Sequence, residues 1–182
     1  MPRVDSMLML AAVRGAAIAW PAVRADAPYA GLEHRRTKVL STEQVDDLLR
    51  GRGMGLALPA ELNGYPGPRH VLDLADRLGL TPEQRSDTER LFQDMQAGAM
   101  ALGERIVAGE AALDELFAAG RASETAVRQA ALELGRLEGE LRALHLNYPL
   151  AMRDLLTREQ TAAYQELKGY RSHASGHRHK SH

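Results

Sequence analysis

Seven histidines carry most of the chemistry open to this chain, and they are unevenly placed. Four of them, His173, His177, His179 and His182, crowd the C-terminal tail. Neutral imidazoles at that density can capture Zn²⁺, Ni²⁺ or Cu²⁺ without a fixed geometry, and the same composition also makes a plain solvated, disordered end. His34 and His70 stand singly on polar segments, without a partner at ligand spacing. His145 follows Leu144 and reads as a residue flanking the edge of an apolar seam. Catalytic constellations find little support. The chain has no cysteine, which removes a thiolate nucleophile and any Cys-based zinc site. It has no H-E-x-x-H pair and no serine in a strand-to-helix elbow. Glu104, Glu110, Glu133, Glu138 and Glu140 interleave with Arg105, Arg128, Arg136 and Arg142, the pattern of a solvated helix face laced with local ion pairs. The reading is a non-enzyme.

Positioning those residues falls to helices. Aromatics make up 4% of the 182 residues, while Ala, Leu, Glu and Arg abound. That balance favours packed helices over strands, which draw on β-branched and aromatic residues. The length suits one domain. A formal charge of −1 lacks the clustered excess of Lys and Arg that nucleic acid requires, so nucleic acid is excluded as an expected partner. Residues 1–25 have the layout of a weak export signal: the apolar runs Met7–Val13 and Gly15–Trp20 are interrupted by Arg14, and Val23-Arg24-Ala25 offers a cleavage point. The alternative is an uncleaved membrane-surface helix. No later segment is long and apolar enough for a transmembrane span.

Residues 26–68 are polar and rich in turn formers. Within them Leu40-Ser41-Thr42-Glu43-Gln44 starts a short helix that Gly51 ends, and residues 51–68 form a long Gly/Pro-rich loop with one helical turn around Leu58 to Leu62. The G-x-G-x-G run at Gly51 lacks the strand and the Gly-Lys-Ser/Thr that a phosphate loop needs. A short helix over His70 to Leu78 then places Val71, Leu74, Ala75 and Leu78 on one face.

The largest element expected, within a domain over residues 69–170, is a helical hairpin. Its first arm, from Pro82 to about Ala119, bears the stripe Leu91, Met95, Gly98, Leu102, Ile106, Gly109, Leu113, Leu116. Its second, capped by Ser123, bears Val127, Ala130, Leu134, Leu137, Leu141, Leu144, Tyr148. Both follow the three-four spacing of an antiparallel seam. Gly98 and Gly109 on the stripe predict close backbone approach or a bend, because glycine costs about 1 kcal/mol per helical position. Pro149 predicts a kink near His145 to Asn147. Each arm is expected to reach roughly 50 Å, an elongated form. Met54, Met95 and Met100 could offer a soft, repackable surface, although Met95 lies on the stripe.

Two copies of one pattern bracket the hairpin: Leu80-Thr81-Pro82-Glu83-Gln84 and Leu156-Thr157-Arg158-Glu159-Gln160. Each reads first as a capping box, with threonine at the N-cap and glutamine at the third helical position. The pair also resembles the LTxxQ signature of the Spy/CpxP family of periplasmic stress chaperones, which includes zinc-resistance-associated and heavy-metal-sensor proteins. The resemblance implies a curved all-α fold, a homodimer whose concave face receives unfolded clients, and ATP-independent holding in the periplasm, with an envelope sensor protein as a further partner. It also implies a second function, heavy-metal sensing or buffering. His145 and Met152 match the ligand types of the metal-sensing relatives but lack their four-residue spacing; seven residues of regular helix separate them by about 10 Å. A third reading is a structural helical interaction module, since an exposed heptad flank needs only a complementary stripe.

Overall fold

The computed structural model describes residues 27–35 and 37–170. The candidate signal peptide and the His-rich tail therefore lie outside the described residues. The chain divides into a unit Met1–Ala30, of which the described part is a turn closed by Ala30 N–H to Ala27 O at 3.0 Å, and a unit Gly31–His182. The second unit is all-helical among the described residues: a single 3₁₀ turn, Leu32–His34, precedes α1 (Thr42–Leu49), α2 (Leu58–Leu62), α3 (Pro68–Asp73), α4 (Pro82–Ala118), α5 (Glu124–Leu155) and α6 (Arg158–Leu167). No helix of the described residues is long and apolar enough to cross a membrane.

Helices α4 and α5 form the predicted antiparallel hairpin. Gly120, at φ +65°, closes α4, and the Ser123 hydroxyl accepts from Ala126 N–H to start α5. Register is fixed by two contacts: a side-chain carbon placed on Gly98 would meet Leu144 at 3.3 Å, and one on Gly109 would meet Leu134 at 2.9 Å. Both glycines thus admit a leucine of the other arm. Leu134, Leu137 and Leu141 are buried with Ile106, and Leu102, Leu113 and Leu144 pack against them. Burying each such leucine is worth about 1.5–3 kcal/mol.

The face of α4 differs from the expected single stripe. Ala99, Gly103 and Val107 are buried while Leu91, Leu102, Leu113 and Leu116 are only half-buried. The reason is that α4 is packed from two directions. Helix α1 lies against the row Ala99–Gly103, where a β-carbon on Gly103 would collide with the Leu48 carbonyl. Gly51, at φ +64°, sits over Ala99 in the same way. The backbone approach predicted at Gly98 and Gly109 therefore occurs at Gly103, and the other two accommodate side chains instead.

One further expectation needs correction. The helix read over His70 to Leu78 ends at Asp73, because Leu74 N–H turns back to Val71 O and the chain coils through Leu78 N–H to Leu74 O and Leu80 N–H to Ala75 O before Gly79 at φ +61°. Val71, Ala75 and Leu78 stay buried through this tighter path. Helix α5 continues across Pro149 to Leu155 as one helix. A second apolar cluster, of Val71, Leu78, Met152, Leu156 and Tyr164, joins α3, the end of α5 and α6.

Candidate functional site

Both motif copies cap their helices as their sequence predicts. The Thr81 hydroxyl accepts from Gln84 N–H and the Gln84 Oε1 from Thr81 N–H, each at 3.1 Å. Thr157 and Gln160 repeat the arrangement at 3.1 and 2.9 Å. The structure adds that the two boxes interlock. Gln84 Nε2 donates to Gln160 Oε1, and Gln160 Nε2 donates to Gln84 Oε1, both at 2.9 Å and 76 residues apart in sequence. Gln84 Nε2 reaches the Leu155 carbonyl as well, at 3.1 Å. Each amide oxygen accepts two hydrogen bonds and so fills both lone pairs. Leu80 and Leu156 lie beneath, in the second apolar cluster. Hydrogen bonds with their own backbone amides, then with the Thr81 and Thr157 hydroxyls, hold the Glu83 and Glu159 carboxyls below their usual range.

The helix start expected at Leu40 is a third copy of the motif, a kinship the sequence reading did not draw. Leu40-Ser41-Thr42-Glu43-Gln44 forms the same box, with Ser41 N–H to Gln44 Oε1 at 2.8 Å and Gln44 N–H to Ser41 Oγ at 3.1 Å. Gln44 is exposed and joins no second glutamine. The repeat L-[ST]-x-E-Q was the signal that could have found it. Its isolation shows that the box suffices to cap a helix and that the cross-pair is a separate feature.

The Gly/Pro-rich loop supplies a second site. Glu61, on α2, is 6% exposed. Its carboxylate accepts from His70 Nδ1 at 2.7 and 2.9 Å and from the Tyr164 and Tyr170 hydroxyls at 3.4 Å. Gly67 makes room for it: a β-carbon there would lie 2.6 Å from Glu61 Oε1. Burial, then the Glu61 charge, pushes both tyrosines above their ordinary range. His70 thus has a partner, nine residues away in a loop whose fold the sequence does not specify.

His145 is corrected outright. It is 2% exposed, not a residue at the seam's edge. Its Nδ1–H donates to the Leu141 carbonyl at 2.9 Å, and its buried Nε2 has no partner. A buried unpaired polar atom costs about 1–3 kcal/mol. His145 lines a pocket of about 360 Å³ together with Gly53, Glu61, His70, Phe92, Met95 and Pro149, among others. Met152 is not part of that lining; it is fully buried in the second apolar cluster. No group of three His, Asp or Glu among the described residues is placed to hold a metal ion. His173, His177, His179 and His182 lie outside the described residues.

A third feature is a surface groove of about 430 Å³ between α1, the loop after it and α5, lined by Leu40, Gln44, Leu48, Met54, Leu56, Ile106, Leu141 and the open backbone at Gly135 and Gly139. Met54 is held at φ +43° and is 41% exposed. No protein-family model, no characterised protein and no solved structure matches the chain.

Proposed function

We propose that this chain is an ATP-independent client-binding protein of the Spy/CpxP type, a periplasmic chaperone or envelope-stress regulator and not an enzyme. The observation that carries the reading is the interlocked pair Gln84–Gln160: the two motif copies on which the resemblance rests meet in space, while the third copy, with the same local cap, does not. The pair ties the start of α4 to the start of α6, and Gln84 Nε2 also bonds the Leu155 carbonyl at the end of α5.

Client binding is supported by the groove. Its lining is mainly apolar, with Gln44, Glu138 and Arg142 as polar members, Gly135 and Gly139 add no side chain, and Met54 is held in a left-handed conformation that side chains other than glycine rarely adopt. Strain of this kind collects at functional sites, and methionine repacks against varied apolar partners. Phe117, Leu132 and Leu150 are also exposed along the arms, surface that an unfolded segment or a second copy in a homodimer would cover.

The test is suppression of aggregation of an unrelated unfolding protein, with and without Zn²⁺, beside sedimentation to establish the dimer. Gly139→Leu is the informative variant. A β-carbon at Gly139 meets nothing within 4 Å, so the leucine fills the groove without a clash and the helix gains propensity. The fold should persist and protection should fall. Undiminished protection by Gly139→Leu would remove the groove from the account, and absence of protection by the wild-type chain would reject the function.

A further inference from the structure

His145, whose Nε2 is buried without a partner, is one of the residues lining a pocket. Nδ1 is committed to the Leu141 carbonyl at 2.9 Å. A carbonyl only accepts, so the hydrogen sits on Nδ1 and the neutral ring presents the Nε2 lone pair as an acceptor. Residue 53 adds no side chain beside the ring: a β-carbon on Gly53 would stand 3.4 Å from Cδ2 and 3.7 Å from Nε2. Pro149, one turn further along α5, lacks an N–H and cannot bond back to the His145 carbonyl, so this turn is open on its backbone side too.

We propose that this pocket binds a small, uncharged, mainly apolar molecule carrying one O–H or N–H, which donates to His145 Nε2. The volume, about 360 Å³, is within the range of small-molecule sites. The walls suit an apolar body: Phe92, Met95, Pro68 and Pro149 face the cavity. An anion is disfavoured by the Glu61 carboxylate in the lining and by the Nε2 lone pair. The rim guanidinium of Arg52 is engaged by Asp47 at 2.7 Å and that of Arg69 by Asp73 at 3.1 Å. A metal ion needs several ligands, and no three His, Asp or Glu among the described residues are placed to supply them. A donor on a neutral body is the chemistry that remains. The pocket shares no lining residue with the groove assigned to clients.

Calorimetry on the full chain with phenol and with toluene tests this, because the two match in shape and differ in the donor. Phenol should bind about three- to tenfold more tightly, the range of one net neutral hydrogen bond. His145→Leu should erase that preference while leaving toluene bound. Gly53→Val, which adds bulk beside the ring and removes no contact, should weaken both probes. Equal binding of phenol and toluene, binding of neither, or a phenol preference surviving in His145→Leu would overturn the proposal. Should His145→Leu fail to fold, unchanged phenol binding by Gly53→Val overturns it alone.

Discussion

Gln84 and Gln160 exchange two side-chain hydrogen bonds of 2.9 Å while each also caps its own helix. Removing either amide takes one donated and one accepted bond from the other, half-buried, whose oxygen keeps only the bond from its own threonine N–H. Gln84→Ala and Gln160→Ala should therefore each cost more than the loss of about 1 kcal/mol expected for Thr81→Ala or Thr157→Ala. This reverses the order that capping alone predicts. Denaturant unfolding of the double variant should show a coupling of about 0.5–1.5 kcal/mol. Gln44→Ala is the control, with the small effect of a lone cap.

Two glycines should respond with opposite signs. Gly103→Ala drives a β-carbon into the Leu48 carbonyl, so α1 must move off α4, at a cost of about 1–3 kcal/mol. Gly135→Ala, on open helix surface, should stabilise by up to about 1 kcal/mol. Thermal unfolding by circular dichroism distinguishes them, and similar shifts for both would deny the close approach of α1.

Tyr164 makes stability depend on alkaline pH. Burial, with Glu61 nearby, raises its pKa in the folded chain above the ordinary 10.0. For a raised pKa the stabilisation is complete below the unfolded value and is lost as pH rises above it, because the unfolded chain ionises first. Unfolding free energy should fall from about pH 10 upward. Tyr164→Phe should flatten that decline, and the share of tyrosinate absorbance that this variant removes should appear together with unfolding and not before it.

Truncation after Tyr170 removes His173, His177, His179 and His182 and should abolish Zn²⁺ or Ni²⁺ binding by calorimetry, with helicity and protection of clients unchanged. Tight binding retained by the truncated chain and lost in His145→Ala would place the metal inside the helical body. Metal would then raise the melting temperature by preferring the folded state.

The helices were legible because their signals are local. Capping boxes at Ser41, Thr81 and Thr157, the glycine stop at Gly120 and the three-four spacing of Leu134, Leu137 and Leu141 all act within a turn or two of chain. The hairpin followed from them, since a short connection forces long neighbours antiparallel. His145 was misread for the same reason: local spacing places a residue on a helix face and says nothing of which remote segment will cover that face.

What tertiary structure alone decided is every contact made by the Gly/Pro-rich loop and by the motif pair. Gly103 reads as an ordinary helix glycine until α1 is laid across it, and Glu61 reads as a solvated carboxylate until His70, Tyr164 and Tyr170 converge on it. Gln84 and Gln160 cap their helices whether or not they meet. Their meeting depends on how α4 and α5 pair and on where α6 turns back, and loop conformations that bring such distant residues together carry no periodicity for a sequence to display. The chain's local chemistry determined its helices and their ends; packing of irregular backbone against them determined the clasp, the buried carboxylate and the pocket that His145 lines.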